Sequence, residues 1–292
     1  MTKLYTDTSA NLPLALLREY DIAVIPFSYT VNGVAEDYNE ETDFDGKAFY
    51  DAMRRGAEVK TSMVNPATAA AFFEHALAQG DDVLYVGMSG GISGTAHAAA
   101  LAAEELREKY PHAKIMTIDT YAASLGEGLQ VLEAAELLRA GRSFEEVGDR
   151  ILARRPHMCQ FFTVDDLNYL KRGGRISGAA ALVGSVLGIK PILRGDETGH
   201  IVSCGKVRGN KKAYAELADY FDKRALDKTA RIGIAHADNC EGTDYLLGLL
   251  RERGFTGECL EVYYEHGKIT GYIAGKHTAR RMLSHFSANP TL

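Results

Sequence analysis

The chain has 292 residues, 46% hydrophobic and 25% charged, a globular balance that excludes a disordered or fibrous protein and leaves room for two domains of about 150 residues each. Its formal net charge of −6 argues against a general nucleic-acid binder, which needs a basic surface to neutralise phosphates. The four cysteines, Cys159, Cys204, Cys240 and Cys259, form no CxxC pair, so no zinc or dithiol site is expected and a reducing, cytoplasmic setting fits. The first residues contain no apolar segment of a secretory signal, and the longest near-apolar run, 179–189, is too short to span a bilayer.

Residues 3–6 read as a first strand, followed by a helix opening at Pro13. Residues 21–31 are β-branched and aromatic and end in Asn32-Gly33, a hairpin turn signal. Thr42 or Asp43 is placed to cap a helix through Arg55, and Asn65-Pro66 to open another over 66–78. A strand over 82–87 leads through glycines to Ser93, which is expected to cap an alanine-rich helix ending near Tyr110. A strand over 114–119, a helix over 124–139 and a helical segment from Ser143 to about Pro156 complete a β-α-β-α series. That order predicts a parallel sheet covered by helices, an N-terminal α/β domain over 1–156.

The remainder, 157–292, is less regular. Strands are expected over 158–164, 192–206 (with Gly199 between two pieces), 230–235 and 258–264, and helices over 210–225 and 243–253. The expected product is a second α/β domain with a mixed sheet. With no low-complexity linker between them, the two lobes should pack closely around a ligand cleft.

Three stretches carry candidate chemistry. In Gly87-Met88-Ser89-Gly90-Gly91-Ile92-Ser93-Gly94-Thr95, an apolar strand runs through glycines into a helix start. Unpaired amides and the positive end of the helix dipole make such a turn receptive to an anion, although Ser93 as a plain helix cap explains the pattern equally well. The same stretch matches G-x-S-x-G, the turn that exposes a hydrolase nucleophile. A serine hydrolase using Ser89, with Asp119 and His236 or His266 as partners, is therefore the alternative reading. It lacks an upstream HGGG-type loop, and the helix begins near Ser93 and not at Ser89. The second stretch, Thr61-Ser62, offers two hydroxyls that donate to a carboxylate or merely serve a turn. The third places Lys171 and Arg172 in the last turn of a short helix, with Arg175 just beyond Gly173-Gly174. Arginine's fork suits carboxylate or phosphate, while a solvated helix end is the ordinary explanation of the pair.

Taken in order, these motifs resemble the DegV family of fatty-acid-binding proteins, which includes the B subunits of bacterial fatty acid kinase. The resemblance covers nearly the whole chain. Thr6-Asp7-Thr8-Ser9-Ala10-Asn11-Leu12-Pro13 is similar to the family's opening T-D-S-x-x-D-L-P, and Lys60-Thr61-Ser62 to its T-S motif, with Met63-Val64-Asn65-Pro66 in place of Q-P-S-P. Ile92-Ser93-Gly94-Thr95 matches L-S-G-T, residues 167–177 match L-x-Y-L-K-x-G-G-R-I-S, and Ile189-Lys190-Pro191-Ile192-Leu193 matches I-K-P-I-L.

The resemblance implies a long-chain fatty acid as ligand, no cofactor, and a carboxylate site of Thr61, Ser62, Ser93 and the Gly94 amide. It implies a tail slot between the lobes, for which Ile92, Leu182, Val183, Val186, Leu187 and Ile189 are candidates, core packing being the simpler role of each. A family histidine falls on His266, with His277 close enough to compete and H-T-G-P-G absent. The protein would be non-catalytic, presenting the carboxylate to an ATP-dependent kinase subunit of phospholipid metabolism; Lys171, Arg172 and Arg175 are expected to dock that subunit or to attract the incoming phosphate. It would exchange its ligand during transient membrane contact. No G-x-x-x-x-G-K-[ST] is present, as suits a presenter that does not bind ATP.

Overall fold

Short apolar strands separated by amphipathic helices build the first lobe. In the computed structural model, which describes residues 1–36, 45–165, 167, 170, 173–175, 188–263 and 270–275, β1 (Thr2–Asp7), β2 (Ala23–Ile25), β6 (Asp82–Gly87) and β7 (Ile115–Asp119) form a parallel sheet of order β2-β1-β6-β7. The two-residue alternation of a strand sends Leu4, Leu84 and Val86 to one face and Tyr5, Val83 and Tyr85 to the other. Helices α3 (Pro66–Leu77) and α4 (Thr95–Lys109) cover the second face, and α1 (Leu14–Glu19), α5 (Leu125–Arg139) and α6 (Phe144–Arg154) the first. The chain leaves β1 for β2 on one side and later enters β6 on the other. The crevice outside the carboxyl ends of β1 and β6 is therefore the switch point of the sheet, where open α/β folds hold their ligands.

The helix starts follow local chemistry. Asn65 Oδ1 accepts the Thr68 amide at 2.9 Å, with Pro66 at the first helical position, as its sequence predicts. Ser143 and Glu146 form a reciprocal capping box at α6. Helix α2 (Gly46–Arg54) is capped by Asp45, whose Oδ1 accepts the Ala48 amide at 2.9 Å; Thr42 and Asp43, the expected caps, lie outside the described residues. Asn32 and Gly33, with φ of 52° and 81°, make the tight turn between β3 (Ser28–Val31) and β4 (Val34–Glu36). That hairpin recruits β5 (Val59–Ser62) into an antiparallel sheet of order β4-β3-β5.

The second lobe is a mixed six-stranded sheet of order β10-β9-β8-β13-β11-β12, comprising β8 (Cys159–Thr163), β9 (Ile189–Gly195), β10 (Ile201–Arg208), β11 (Ile232–His236), β12 (Cys259–Tyr263) and β13 (Thr270–Gly275). Only the β11–β12 pair runs parallel. Helices α7 (Asn210–Arg224) and α8 (Cys240–Glu252) seal one core through Leu217, Phe221, Leu246 and Leu250. The other face meets α5. Residues 125–135 of that helix are all buried, because it packs on the parallel sheet and also contacts β11 and β13. Leu125 and Leu129 share one apolar cluster with Phe162, Val164, Leu193 and Ala235 of the second lobe. A helix buried all round is what two flanking sheets require.

Candidate functional site

The loop between β6 and α4 is pinned on every side. At its start, Asp7 Oδ2 accepts the Met88 amide at 3.2 Å and the Tyr85 hydroxyl at 2.6 Å, tying the ends of β1 and β6 together. Asp119, ending β7, accepts the Gly90 amide at 2.9 Å and the Tyr121 amide at 2.9 Å on its two oxygens. The Ile92 and Ser93 amides both donate to the Ser89 carbonyl at 3.0 Å. Arg175 Nε donates to the Ile92 carbonyl at 3.1 Å, so the arginine of the Gly-Gly-Arg motif reaches the loop directly before Ser93. A second bond from Arg175 to the Gly173 carbonyl holds its guanidinium in place.

Helix α4 begins one residue later than a Ser93 cap requires. Gly94 is the N-cap, without a side chain to bond the first turn, and Ser93 Oγ instead accepts the Thr95 amide at 3.3 Å and lies 2.9 Å from Thr95 Oγ1. The Gly94 amide has no acceptor among the described residues. Strand β5 ends beside this turn. Thr95 Oγ1 accepts the Val64 amide at 3.3 Å, and a Cβ on Gly94 would stand 2.6 Å from Met63 Sδ, so any larger residue there displaces the thioether. Side chains alternate along an extended chain, so Thr61 shares the side of Met63 and Ser62 points away. Both hydroxyls are exposed and make no hydrogen bond to any described residue. The structure thus brings together the segments bearing Thr61, Ser93 and Gly94. Lys171, Arg172, His266 and His277 lie outside the described residues, as do Leu182, Val183, Val186 and Leu187. Ile92 packs against both cores of the first lobe.

Ser89 sits differently from a nucleophile. It is fully buried, its Oγ donates to the Gly199 carbonyl at 2.9 Å and accepts the Gly91 amide at 3.1 Å, and no imidazole bonds it among the described residues. Gly199, at φ +79°, turns the β9–β10 hairpin onto this hydroxyl; a Cβ there would lie 1.9 Å from Ser89 Oγ. The hydroxyl fastens the second lobe to the loop.

Behind the loop lies a buried acid array. Ser9 Oγ is 2.5 Å from Asp7 Oδ1 and 2.7 Å from Glu127 Oε2, and Glu127 Oε1 accepts the Thr6 hydroxyl at 3.2 Å. Ser9 has one proton to give. Asp7 already accepts from the Ser9 amide, the Tyr85 hydroxyl and the Met88 amide, so it is the ionised member. Glu127 then carries a proton and donates it to Ser9. Burial, with the Asp7 charge adding to it, pushes the Glu127 carboxyl well above the ordinary glutamate range. Burial raises Asp7 as well, against the opposing pull of the Ser9, Tyr85 and Met88 donors. Asp7 and Ser9 belong to the opening Thr-Asp-Thr-Ser motif, but Glu127 is 118 residues from Ser9 and nothing local marks it as their partner.

His236, Cys240 and Glu261 also gather within ligand distance of one another. His236 Nδ1 accepts the Asn239 amide at 3.2 Å, so the proton of the neutral ring sits on Nε2, 3.2 Å from Glu261 Oε1. Neither nitrogen keeps a lone pair for a cation in this arrangement. No helix among the described residues is long and apolar enough to cross a membrane.

This geometry defines a two-lobed α/β protein in which a glycine-rich loop at the switch point of a parallel sheet meets a second, mixed-sheet lobe. Comparison with known proteins sharpens the class. The profile of the DegV family, described as uncharacterised, matches residues 1–278. A DegV domain-containing protein of Clostridium perfringens is 35% identical over 289 residues, 99% of this chain and 97% of the relative. The chain belongs to the DegV family. Among solved structures, a fatty-acid-binding DegV family protein of Thermus thermophilus superposes with a TM-score of 0.83 at 30% identity, covering 94% of this chain and 99% of that one. The fatty acid binding DegV family protein of Streptococcus agalactiae gives 0.82 at 28% identity, with 95% and 99% covered. DegV of Bacillus subtilis, a fatty acid binding protein, gives 0.79 at 28% identity, with 94% and 99% covered.

Proposed function

We propose that this protein binds a long-chain fatty acid between its lobes and holds the carboxylate where β5 meets the start of α4. The observation that supports this reading is the close approach of Met63 to Gly94 with the Val64–Thr95 hydrogen bond, which brings the chain leaving β5, two residues beyond Thr61, against the turn that carries Ser93 and the Gly94 amide. A carboxylate leaving water needs such donors, since an unpaired buried charge is very costly. Solved relatives at 28–30% identity whose names record fatty-acid binding supply the chemical identity of the anion. Burying about fifteen methylenes contributes roughly 12 kcal/mol gross at ~0.8 each, and ordering the chain offsets a large part of it.

In this reading the lobe of residues 1–156 provides Thr61, Ser93 and Gly94, with Ser62 as a lesser donor, and residues 157–292 close over the tail and contribute His266. The protein is a presenter: a separate ATP-dependent kinase subunit converts the carboxylate to an acyl-phosphate after docking on Lys171, Arg172 and Arg175. Arg175 has a double duty, because its Nε also fixes the Ile92 carbonyl. The four free thiols fit a cytoplasmic setting, with brief membrane contact for ligand exchange.

The test is to extract lipid from freshly purified and from lipid-loaded protein and identify it by mass spectrometry. One acyl chain per protein is expected, with occupancy reduced by Thr61→Val and Ser93→Ala. Recovery of no stoichiometric acyl chain from lipid-loaded protein overturns the proposal. For the presenting step, labelled ATP and a kinase subunit should transfer phosphate to the bound lipid; transfer unaffected by Arg172→Ala and Arg175→Ala would remove the docking assignment.

A further inference from the structure

Away from the carboxylate site, a cleft of about 420 Å³ opens at the junction of the lobes and is lined by Tyr121, Arg155, Phe161, Arg194, Asp196 and Arg224, among others. Three arginines from three different elements line it. Arg155, just after α6, lies with its guanidinium carbon 3.9 Å from the centre of the Tyr121 ring and donates to the Asp119 carbonyl at 3.2 Å. Arg224, the last residue of α7, lies 5.5 Å from the centre of Phe161, a ring itself stacked on Tyr220 at 4.3 Å. Neither has a carboxylate partner among the described residues. Arg194 is partly neutralised by Glu197 at 3.5 Å. Asp196 is spent on its own turn, its Oδ1 accepting the Thr198 amide, the Thr198 hydroxyl and the His200 amide at 2.9, 2.8 and 2.9 Å.

An arginine in the last turn of a helix ordinarily complements the dipole, which accounts for Arg224 on α7. It does not account for Arg155 and Arg194 lining the same cavity, nor for two of the three having no carboxylate partner among the described residues in a chain of net charge −6. The Tyr121 ring beside Arg155 and the Phe161 ring beside Arg224 restrain both guanidinium groups at the cavity. A carboxylate satisfies one fork. Two forks supplied by separate elements to one cavity suit a group with several oxygens and a double charge, and the volume is that of a small-molecule site.

We infer that this cleft binds a phosphomonoester dianion, held by Arg155 and Arg224.

The test is calorimetric titration of the full chain with inorganic phosphate, using acetate as the monoanion control. Phosphate should bind saturably and at least tenfold more tightly than acetate. Arg224→Ala should weaken it tenfold or more, and Arg224→Lys should restore only part of that loss, because it returns the charge without the fork. Arg224 is exposed at a helix end, so the variant keeps the fold, which circular dichroism checks; Arg155→Ala provides the second arm. Sedimentation with phosphatidylcholine vesicles containing phosphatidic acid identifies the source of the group: co-sedimentation lost in Arg224→Ala assigns it to a lipid headgroup, and no co-sedimentation assigns it to a free molecule. Phosphate binding no tighter than acetate, or unchanged in both alanine variants, overturns the inference. The acyl content on extraction is independent of these outcomes, so failure here leaves the fatty-acid proposal standing.

Discussion

Gly94→Ala isolates the junction on which the proposed carboxylate site depends. The backbone at Gly94 has φ −70°, which alanine adopts without strain, so the substitution acts through its new methyl group. That methyl would stand 2.6 Å from Met63 Sδ and 3.0 Å from its Cε. Met63 is 46% exposed and flexible, so it swings outward and carries the end of β5 with it. Alanine is also a poorer N-cap than glycine, at about 0.5–1 kcal/mol, a modest loss for the fold. Binding should suffer more. Moving Thr61 away from Ser93 removes a hydrogen bond to a charged group, worth about 1.5–3 kcal/mol, or roughly ten- to hundredfold in affinity. Displacement of a fluorescent fatty acid measures the affinity, and thermal melting the fold. Adding Met63→Ala to the variant makes room for the methyl and should recover most of the binding. A Gly94→Ala protein that melts slightly lower yet binds like the wild type would refute the idea that β5 and the helix start act as one receptor.

Further outcomes follow from the same geometry. Thr61→Val should weaken binding by about tenfold or more, as expected for a lost charged hydrogen bond, whereas Ser62→Ala should change it little; equal effects in the displacement assay would mean that strand alternation does not select the donor. Glu127→Gln reproduces the protonated acid, donating to Ser9 and accepting from Thr6, and should be tolerated, whereas Asp7→Asn sets an amide against the donors of Tyr85, Ser9 and Met88 and should cost about 1–3 kcal/mol in urea unfolding. Because the folded-state pKa of Glu127 is raised, its proton is held more tightly in the native state. Stability is then lost as pH rises from the ordinary glutamate range through the folded value. Melts between pH 4.5 and 8 should show a smaller decline in Glu127→Gln than in the wild type; parallel declines would place the proton elsewhere. Ser89 should form no adduct with a fluorophosphonate, and Ser89→Ala should bind lipid normally while losing about 1–3 kcal/mol of stability for the unsatisfied Gly199 carbonyl; a covalent adduct at Ser89 would revive the hydrolase reading.

Much of the fold was legible because its signals are local. Asn65-Pro66 opens α3, Asn32-Gly33 turns the hairpin, and alternating strand and helix patterns give the parallel sheet. The start of α4 falls at Thr95 because Ser93 bonds Thr95 and leaves the capping place to Gly94. Strand β5 escaped notice because Val59-Lys60-Thr61-Ser62 is largely exposed, lacks apolar alternation, and is made a strand only by its partner β3. β13, the last described strand, takes the centre of its sheet between β8 and β11, an insertion that no local pattern encodes. Within the candidate site, the loop glycines and hydroxyls are visible as a motif, but the residues that hold them are remote in sequence. Asp119 reaches Gly90 across 29 positions and Gly199 reaches Ser89 across 110. Sequence motifs supplied the fatty acid; the loop chemistry alone specified only an anion.

The burial of α5 between two sheets bears on how a ligand gets in and out. Many two-lobed proteins clamp their ligands by swinging about a hinge, which works when the facing surfaces are wet and weakly joined. Here, pulling the lobes apart would strip cover from Leu125, Phe162, Val164 and Leu193, roughly 6–12 kcal/mol at about 1.5–3 per side chain, comparable to the whole stability of a typical domain. The two halves therefore behave as one mechanical body. On the proposed reading, an acyl chain held between the lobes has to enter and leave through local rearrangement at the rim, and mutations in the shared core should alter melting far more than exchange rate.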